Sequence, residues 1–285
     1  MSQPLEQLSA QVPGSTPALM QWLQTQLAAG HAPATLHKSL LKTGWAPHIA
    51  QAALAVCTQP VPTPVRTAPM PEPDLSQHTS EIDVGDRLVQ VLLSMQKPRL
   101  VLFGNLLSDT ECEQLIVSAR PAMARSRTVA TQAHGEEINP DRTSSGMFYT
   151  RGQTPVVALL EARIAKLLQW PLENGEGLQV LSYRPGAEYK PHHDYFNPKE
   201  PSSAAILQHG GQRVGTLVIY LSDVAAGGCT FFPESQLRIH PRKGHAVFFS
   251  YPSPEVHTLT LHGGDPVLQG EKWIATKWLR EAPFL

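Results

Sequence analysis

Tyr183-Arg-Pro-Gly-Ala-Glu-Tyr-Lys-Pro-His-His-Asp-Tyr-Phe196 is the stretch on which the reading of the whole chain turns. Gly186 permits a tight turn between Tyr183 and Tyr189, and Pro191 removes a backbone donor and stiffens the approach to His192. Side chains alternate between the two faces of an extended strand. His192 and Asp194 therefore share one face, while His193 points to the other. A His-X-Asp triplet alone is common on protein surfaces. Joined by a histidine from a later strand, it becomes two imidazoles and one carboxylate on one side of a metal ion, with positions left open, the set that non-haem ferrous oxygenases use. His257 and His262 both precede the last hairpin and compete for that third place.

Downstream, His262 is followed by turn residues, Gly263-Gly-Asp-Pro266, and then by Val267-Leu-Gln-Gly-Glu-Lys-Trp273. A strand over Lys272–Trp278 puts Lys272, Ile274, Thr276 and Trp278 on one face and Trp273, Ala275 and Lys277 on the other. A lysine on an apolar inward face needs an anionic partner, because a buried unpaired ammonium is costly; a bound carboxylate would supply one. From Leu178 onward, β-rich runs alternate with Gly, Pro and Asp turns: Leu178–Tyr183, Val214–Leu221, Leu237–Ile239, Ala246–Tyr251, Val256–His262 and Lys272–Leu279. Upstream, the pattern predicts a helix over Ile82–Met95 and a strand over Arg99–Phe103. It also predicts a helix over Asp109–Ala119, opened by Ser108 and Glu111, and an amphipathic helix over Pro155–Leu168. Helices first and many short strands after predict an α+β domain: an antiparallel double-sheet barrel with helices supporting one face.

The N-terminal region has a different pattern. Leu19, Trp22, Leu23 and Leu27 recur at helical spacing and stop at Gly30. Pro33 and Pro47 suit first helical turns, Gly44 suits a helix end, and Leu36, Leu40 and Leu41 form a stripe, so three short helices are expected in a small bundle. No basic recognition face accompanies them, which leaves a docking or packing module rather than a DNA reader. Between Gln59 and Glu81, Pro60, Pro62, Pro64, Pro69, Pro71 and Pro73 stand among small polar residues, a linker composition. The expected organisation is a helical module over 1–58, a Pro-rich linker over 59–81 and a catalytic domain over 82–285.

Composition narrows the classes. A net charge of −1 over 285 residues offers no dedicated nucleic-acid surface. Cys57, Cys112 and Cys229 are far apart and form no metal or disulfide spacing, which fits a reducing cytoplasm. The first residues show no basic cluster followed by an apolar run, and no uninterrupted apolar stretch approaches membrane-spanning length. A soluble, unexported protein with no membrane partner is expected.

From about Pro98 to Leu279 the chain resembles the prolyl 4-hydroxylase-type, 2-oxoglutarate- and iron(II)-dependent dioxygenases. The likeness rests on Asn105-Leu-Leu-Ser-Asp-Thr-Glu-Cys112, Arg142-Thr-Ser-Ser-Gly-Met-Phe148, Tyr183 to Phe196, Arg213-Val-Gly-Thr-Leu-Val-Ile-Tyr-Leu221, Gly227-Gly-Cys-Thr-Phe-Phe-Pro233 and His262 to Trp278. The resemblance implies a double-stranded β-helix, or jelly roll. It implies that His192, Asp194 and His262 bind iron(II), with no catalytic side chain beyond the metal centre. Lys272 would pair with the distal carboxylate of 2-oxoglutarate, Tyr183 and Thr216 would hydrogen-bond that cosubstrate with Trp278 close by, and Tyr189, Arg142 and Arg213 would line the substrate side. Dioxygen is the implied second cosubstrate and L-ascorbate the accessory reductant. The implied reaction releases succinate and carbon dioxide and hydroxylates a prolyl residue in a protein or peptide. Cys229 stands where the family usually has an acidic residue. Glu136–Ser145 and Tyr195–Gln212 are polar candidates for loops at the mouth of the site. Competing readings are a non-catalytic cosubstrate-responsive module and an oxygenase acting on a free amino acid or on nucleic acid, the last disfavoured by the near-neutral charge.

Overall fold

The computed structural model describes residues 9–10, 12–58, 69–125, 128–129, 136–137 and 143–285. The chain divides into two compact units, Met1–Val65 and Arg66–Leu285.

In the first unit three helices, α1 (Pro17–Ala28), α2 (Pro33–Lys42) and α3 (Pro47–Thr58), each begin with a proline, whose missing N–H costs nothing in a first turn. Thr16 caps α1 by accepting the Leu19 N–H, and Gly44, at φ +91, turns the chain out of α2 in a conformation that L side chains resist. Met20, Leu23, Leu36, Leu40, Ala50 and Ala53 close a small core of their own.

Among its described residues the second unit contains α4 (Asp109–Ala119), α5 (Pro155–Leu167), α6 (Pro201–Leu207) and seventeen strands. These are β1 (Glu81–Asp83), β2 (Leu88–Gln96), β3 (Arg99–Gly104), β4 (Ala124–Arg125), β5 (Thr128–Val129), β6 (Glu136–Glu137), β7 (Ser145–Tyr149), β8 (Leu178–Tyr183) and β9 (Tyr189–His192). Then follow β10 (Arg213–Tyr220), β11 (Ala226–Gly227), β12 (Thr230–Phe232), β13 (Leu237–Ile239), β14 (Ala246–Ser250), β15 (His262–Gly264), β16 (Val267–Gln269) and β17 (Lys272–Arg280). A nine-stranded antiparallel sheet has the order β1-β2-β3-β14-β10-β17-β8-β7-β4, and a four-stranded sheet the order β13-β12-β15-β9. This is the double-stranded β-helix with supporting helices.

The middle of the large sheet is covered on both sides, and all nine residues of β17 are buried. On one face, Val101, Phe103, Val180, Leu217, Ile219, Phe248 and Ala275 meet Cys112 and Leu115 of α4 and Val157, Leu160 and Ile164 of α5. On the other, Leu181, Tyr183, Val218, Tyr220, Phe249 and Ile274 meet Phe232 and Ile239 of the small sheet. The α4 start carries the capping box foreseen: the Ser108 hydroxyl accepts the Glu111 N–H, and the Glu111 carboxylate accepts the Ser108 N–H at 2.7 Å.

Three expectations are corrected. Ile82–Met95 is not a helix but the β1–β2 hairpin. Gly85, at φ +107, makes the turn, with its N–H on the Asp83 carboxylate, and a register shift between Val91 and Leu93 makes consecutive apolar residues mimic a helical stripe. Val256–His262 is not a strand: Val256–Thr258 is a 3₁₀ turn, Leu259 is left-handed at φ 55, and pairing starts only at His262. Nor does the Pro-rich stretch run free to Glu81. Pro71 and Pro73 are buried, Met70 and Leu75 pack on the helix-side core, and the Glu72 carboxylate accepts Arg99 Nε at 2.8 Å. Residues 59–68 lie outside the described part of the chain.

A chain cut to begin at Glu81 should therefore be less stable than one beginning at Pro69, by roughly 2–4 kcal/mol for the apolar surface uncovered. Chemical denaturation of the two forms measures the difference, and equal midpoints would count against this docking.

Candidate metal centre

The strand pair β9–β15 builds the site. His192 and His262 are directly opposed across this antiparallel ladder. Gly263, beside His262, makes the close approach possible, since a Cβ there would lie 2.8 Å from the Phe231 ring and 2.9 Å from the Tyr189 carbonyl. Asp194 follows His192 past the strand end. One donor atom from each of His192, Asp194 and His262 lies within 4.8 Å of the others, and among the described residues no other set of three does so.

Hydrogen bonds fix which nitrogens face the centre. Nδ1 of His192 lies 2.9 Å from the Lys190 carbonyl, and Nδ1 of His262 lies 3.0 Å from the Thr260 carbonyl. A carbonyl only accepts, so both Nδ1 atoms carry a proton, and Nε2 is the atom each ring turns to the centre. Those Nε2 atoms sit 3.7 and 3.5 Å from the two Asp194 oxygens. Asp194 is buried, which by itself raises its carboxyl; His262, His192, the Arg213 guanidinium and the Thr216 hydroxyl outweigh this and keep it ionised. The Thr216 hydroxyl spends its proton on Asp194 Oδ2 at 2.8 Å, so the Tyr251 hydroxyl, 2.9 Å away, must donate to Thr216. Burial, with the Asp194 charge nearby, pushes the Tyr251 hydroxyl well up, which keeps that donor protonated. Two imidazoles turned inward by their Nδ1 bonds and one oriented carboxylate are the donor types that suit a divalent iron.

The centre opens into a cleft of about 430 Å³ between the two sheets, part of it in open solvent, with apolar walls from Leu181, Val218 and Ile274. Lys272 lines it and is 3 % exposed. Its ammonium makes no ion pair among the described residues; the Tyr183 ring lies 5.5 Å away. Burial brings its pKa down to about 8, against the weaker opposing influence of Cys229 and Asp265. Tyr183, Tyr189 and Trp278 also line the cleft, and the Trp278 indole N–H is buried without a hydrogen-bond partner. Tyr189 stacks on His192 with ring centroids 3.7 Å apart.

Other expected residues fall elsewhere. Thr216 is not part of the cleft lining; its hydroxyl is committed to Asp194. Thr230 takes the wall position instead. Its oxygen accepts from Tyr220 at 2.9 Å, leaving its own proton for a ligand. Thr230 belongs to the Gly227–Pro233 motif, but nothing in a single sequence separates its inward parity from that of Thr216. Arg213 does not line the cleft either: Nε and Nη2 bind Glu176 at 2.6 and 2.9 Å, and its guanidinium lies 3.9 Å over Trp278 and 4.7 Å over Phe196. His257 is exposed beside Glu255 and Ser253, away from the metal donors. The ends of the Tyr195–Gln212 segment are tied together by Gln212, whose amide bonds both the N–H and the carbonyl of Phe196. Arg142 and the middle of Glu136–Ser145, residues 138–142, lie outside the described residues.

Comparison with known proteins gives this arrangement its class first: residues 178–280, from β8 to the end of β17, match the 2OG-Fe(II) oxygenase superfamily. Prolyl 4-hydroxylase 5 of Arabidopsis thaliana is 38% identical over 221 residues, covering 70% of this chain and 74% of the relative. Prolyl 4-hydroxylase 1 of the same plant is 41% identical over 202 residues, covering 65% and 69%. The crystal structure of the viral collagen prolyl hydroxylase vCPH from Paramecium Bursaria Chlorella virus-1, a 2OG complex, aligns with a TM-score of 0.50 at 28% identity, covering 64% of this chain and 95% of that one. The chain belongs to the prolyl 4-hydroxylase family of 2-oxoglutarate- and iron(II)-dependent dioxygenases.

His262→Ala should abolish iron binding and His257→Ala should leave it intact. Thr216→Val, which frees Asp194 of its oriented donor, should weaken iron binding by about 10- to 100-fold while the fold persists. Metal titration of the three variants, with circular dichroism as the control, checks the set.

Proposed function

We propose that this chain hydroxylates a prolyl residue within a protein or peptide. The observation that carries the reading is that the metal donors open onto the same cleft as a buried ammonium with no carboxylate of its own, an arrangement suited to a dicarboxylate reaching from metal to lysine. Iron(II), 2-oxoglutarate and dioxygen supply the oxidising chemistry when bound, with succinate and carbon dioxide as by-products and one oxygen atom going to the substrate carbon.

The protein's own residues bind, orient and exclude water. Lys272 holds the far carboxylate by a charge-assisted bond, and Thr230 donates beside it. Tyr183 flanks the ammonium, and Leu181, Val218 and Ile274 keep the cleft dry. On the substrate side we assign Tyr189, at the mouth over His192, and Arg213, acting through the Trp278 ring it covers; Arg142 joins them on its sequence motif alone. L-ascorbate is proposed to sustain turnover by keeping iron ferrous. A reducing cytoplasmic setting agrees with three free cysteines, and among the described residues no helix is long and apolar enough to cross a membrane. The complete donor set disfavours a non-catalytic module, and the net charge of −1 disfavours nucleic acid.

Mass spectrometry of proline-containing peptides incubated with the enzyme should reveal one added oxygen on proline, dependent on iron and 2-oxoglutarate; oxygen found only on a free amino acid or a nucleobase would reject the substrate class. Lys272→Ala should weaken 2-oxoglutarate binding by about tenfold to more than a hundredfold, from the roughly 1.5–3 kcal/mol of such a bond. The ammonium form binds the anion, so with a pKa near 8 the KM for 2-oxoglutarate should hold steady below that pH and climb above it. Lys272→Arg should remove the climb, because guanidinium stays charged.

A further inference from the structure

Behind the metal centre a line of rings leads away from the cleft. Tyr251 is buried, and two sets of contacts tie it to the metal donors. Its hydroxyl is 2.9 Å from that of Thr216, which lies 2.8 Å from Asp194 Oδ2. Its ring centroid is 6.2 Å from that of Phe249, which is 4.6 Å from that of His262. On the other side the Tyr195 ring meets Tyr251 edge-on, with centroids 5.8 Å apart at 62°, and Tyr195 stacks in turn on His193 at 4.6 Å. Tyr195 and His193 are half-buried, so the line ends at solvent. Neither Tyr251 nor Tyr195 lines the cleft. Packing alone accounts for rings in contact. It does not call for one phenol hydrogen-bonded through a hydroxyl to a metal ligand and a second phenol between it and water, in a protein whose reaction generates a strong oxidant.

We infer that Tyr251 and Tyr195 pass single electrons from a reductant in solution to the metal centre when oxygen has been activated and no substrate is in place. The inference rests on the dioxygenase reading above and gives the proposed L-ascorbate a place to act, the outer face at Tyr195. Tyr251 gives up one electron towards the donors; its proton moves to Thr216 as the Thr216 proton moves to Asp194, along two bonds already in place. Tyr195 then gives one electron to Tyr251, whose proton returns by the same bonds, and releases its own proton to water. A hydrogen atom from an enediol such as ascorbate restores Tyr195. Two passes deliver two electrons, which with two protons from solvent carry one oxygen atom of dioxygen to water instead of to a substrate carbon. Both phenols end unchanged, and the side chains of the cleft are spared. Because neither phenol lies in the cleft, the path stays open while 2-oxoglutarate or its product fills it.

The test uses the full chain with iron(II), 2-oxoglutarate, dioxygen and ascorbate, without peptide, and records ascorbate oxidation and succinate formation in the same sample. In the unaltered enzyme the two should rise together. Tyr195→Phe keeps the ring and removes the oxidisable hydroxyl: succinate should still form, ascorbate oxidation should be lost, and mass spectrometry should find added oxygen accumulating on Tyr251. Tyr195→Trp, which returns an oxidisable ring, should recover ascorbate oxidation, a rescue that packing alone does not require. Freeze-quenched samples without ascorbate should show a tyrosyl signal by electron paramagnetic resonance, and Tyr251→Phe should remove it. Ascorbate oxidation that persists in Tyr195→Phe, a tyrosyl signal that persists in Tyr251→Phe, or no such signal in the unaltered enzyme overturns the relay while the dioxygenase reading stands. Absence of iron-dependent succinate from the unaltered enzyme overturns that reading and the relay with it.

Discussion

The antiparallel register of β9 and β15 is the constraint on which the site depends. Opposed residues in such a ladder are held a few ångström apart, and the pairing of His192 with His262 turns that spacing into two metal donors. A slip of one residue in the edge strand β9 would send His192 to the outer face of the small sheet, away from His262. Several features oppose that slip. Gly263 admits the neighbouring strands only where no side chain intervenes, Pro191 has no N–H to offer an alternative partner, and each imidazole is locked by a bond to the carbonyl two residues before it in the chain. The metal centre is thus a property of strand pairing, and the large sheet serves as the wall against which that pair is held.

The large sheet also shows how this protein treats buried charge. Strand β17 carries three buried cations with clear tasks. Lys277, on the helix side, meets the Glu161 carboxylate and the Glu176 carbonyl. Arg280 meets Glu176, which it shares with Arg213. Burial pushes the Glu176 carboxyl up, but the two guanidiniums outweigh this and bring it down, so it stays charged. Removing one member of such a set leaves an uncompensated charge, which typically costs about 3–5 kcal/mol. Lys272 alone among the three faces the cleft, and it meets no carboxylate among the described residues.

Period-two alternation made much of this legible in advance. It placed Lys272, Ile274, Thr276 and Trp278 on one face, and all four line the cleft. The Ser108–Glu111 capping box was equally local and equally readable. What escaped depends on partners distant in sequence. The β2 strand looked helical because a register shift is set by β3, and the left-handed Leu259 that separates His257 from the site has no glycine to announce it. Thr216 and Thr230 are both inward threonines; only the position of Asp194 decides that one supports the metal ligand and the other faces the ligand space.

The isolation of Lys272 carries a consequence for the balance of metabolites around the enzyme. An ammonium at the closed end of a cleft recognises a terminal carboxylate and little else of the molecule that bears it. Succinate keeps that same carboxylate after the keto acid end has been consumed, so the spent acid holds on to the lysine as its parent did. With Lys272 as the proposed anchor, product and cosubstrate would contend for one ammonium, and succinate would raise the apparent KM for 2-oxoglutarate.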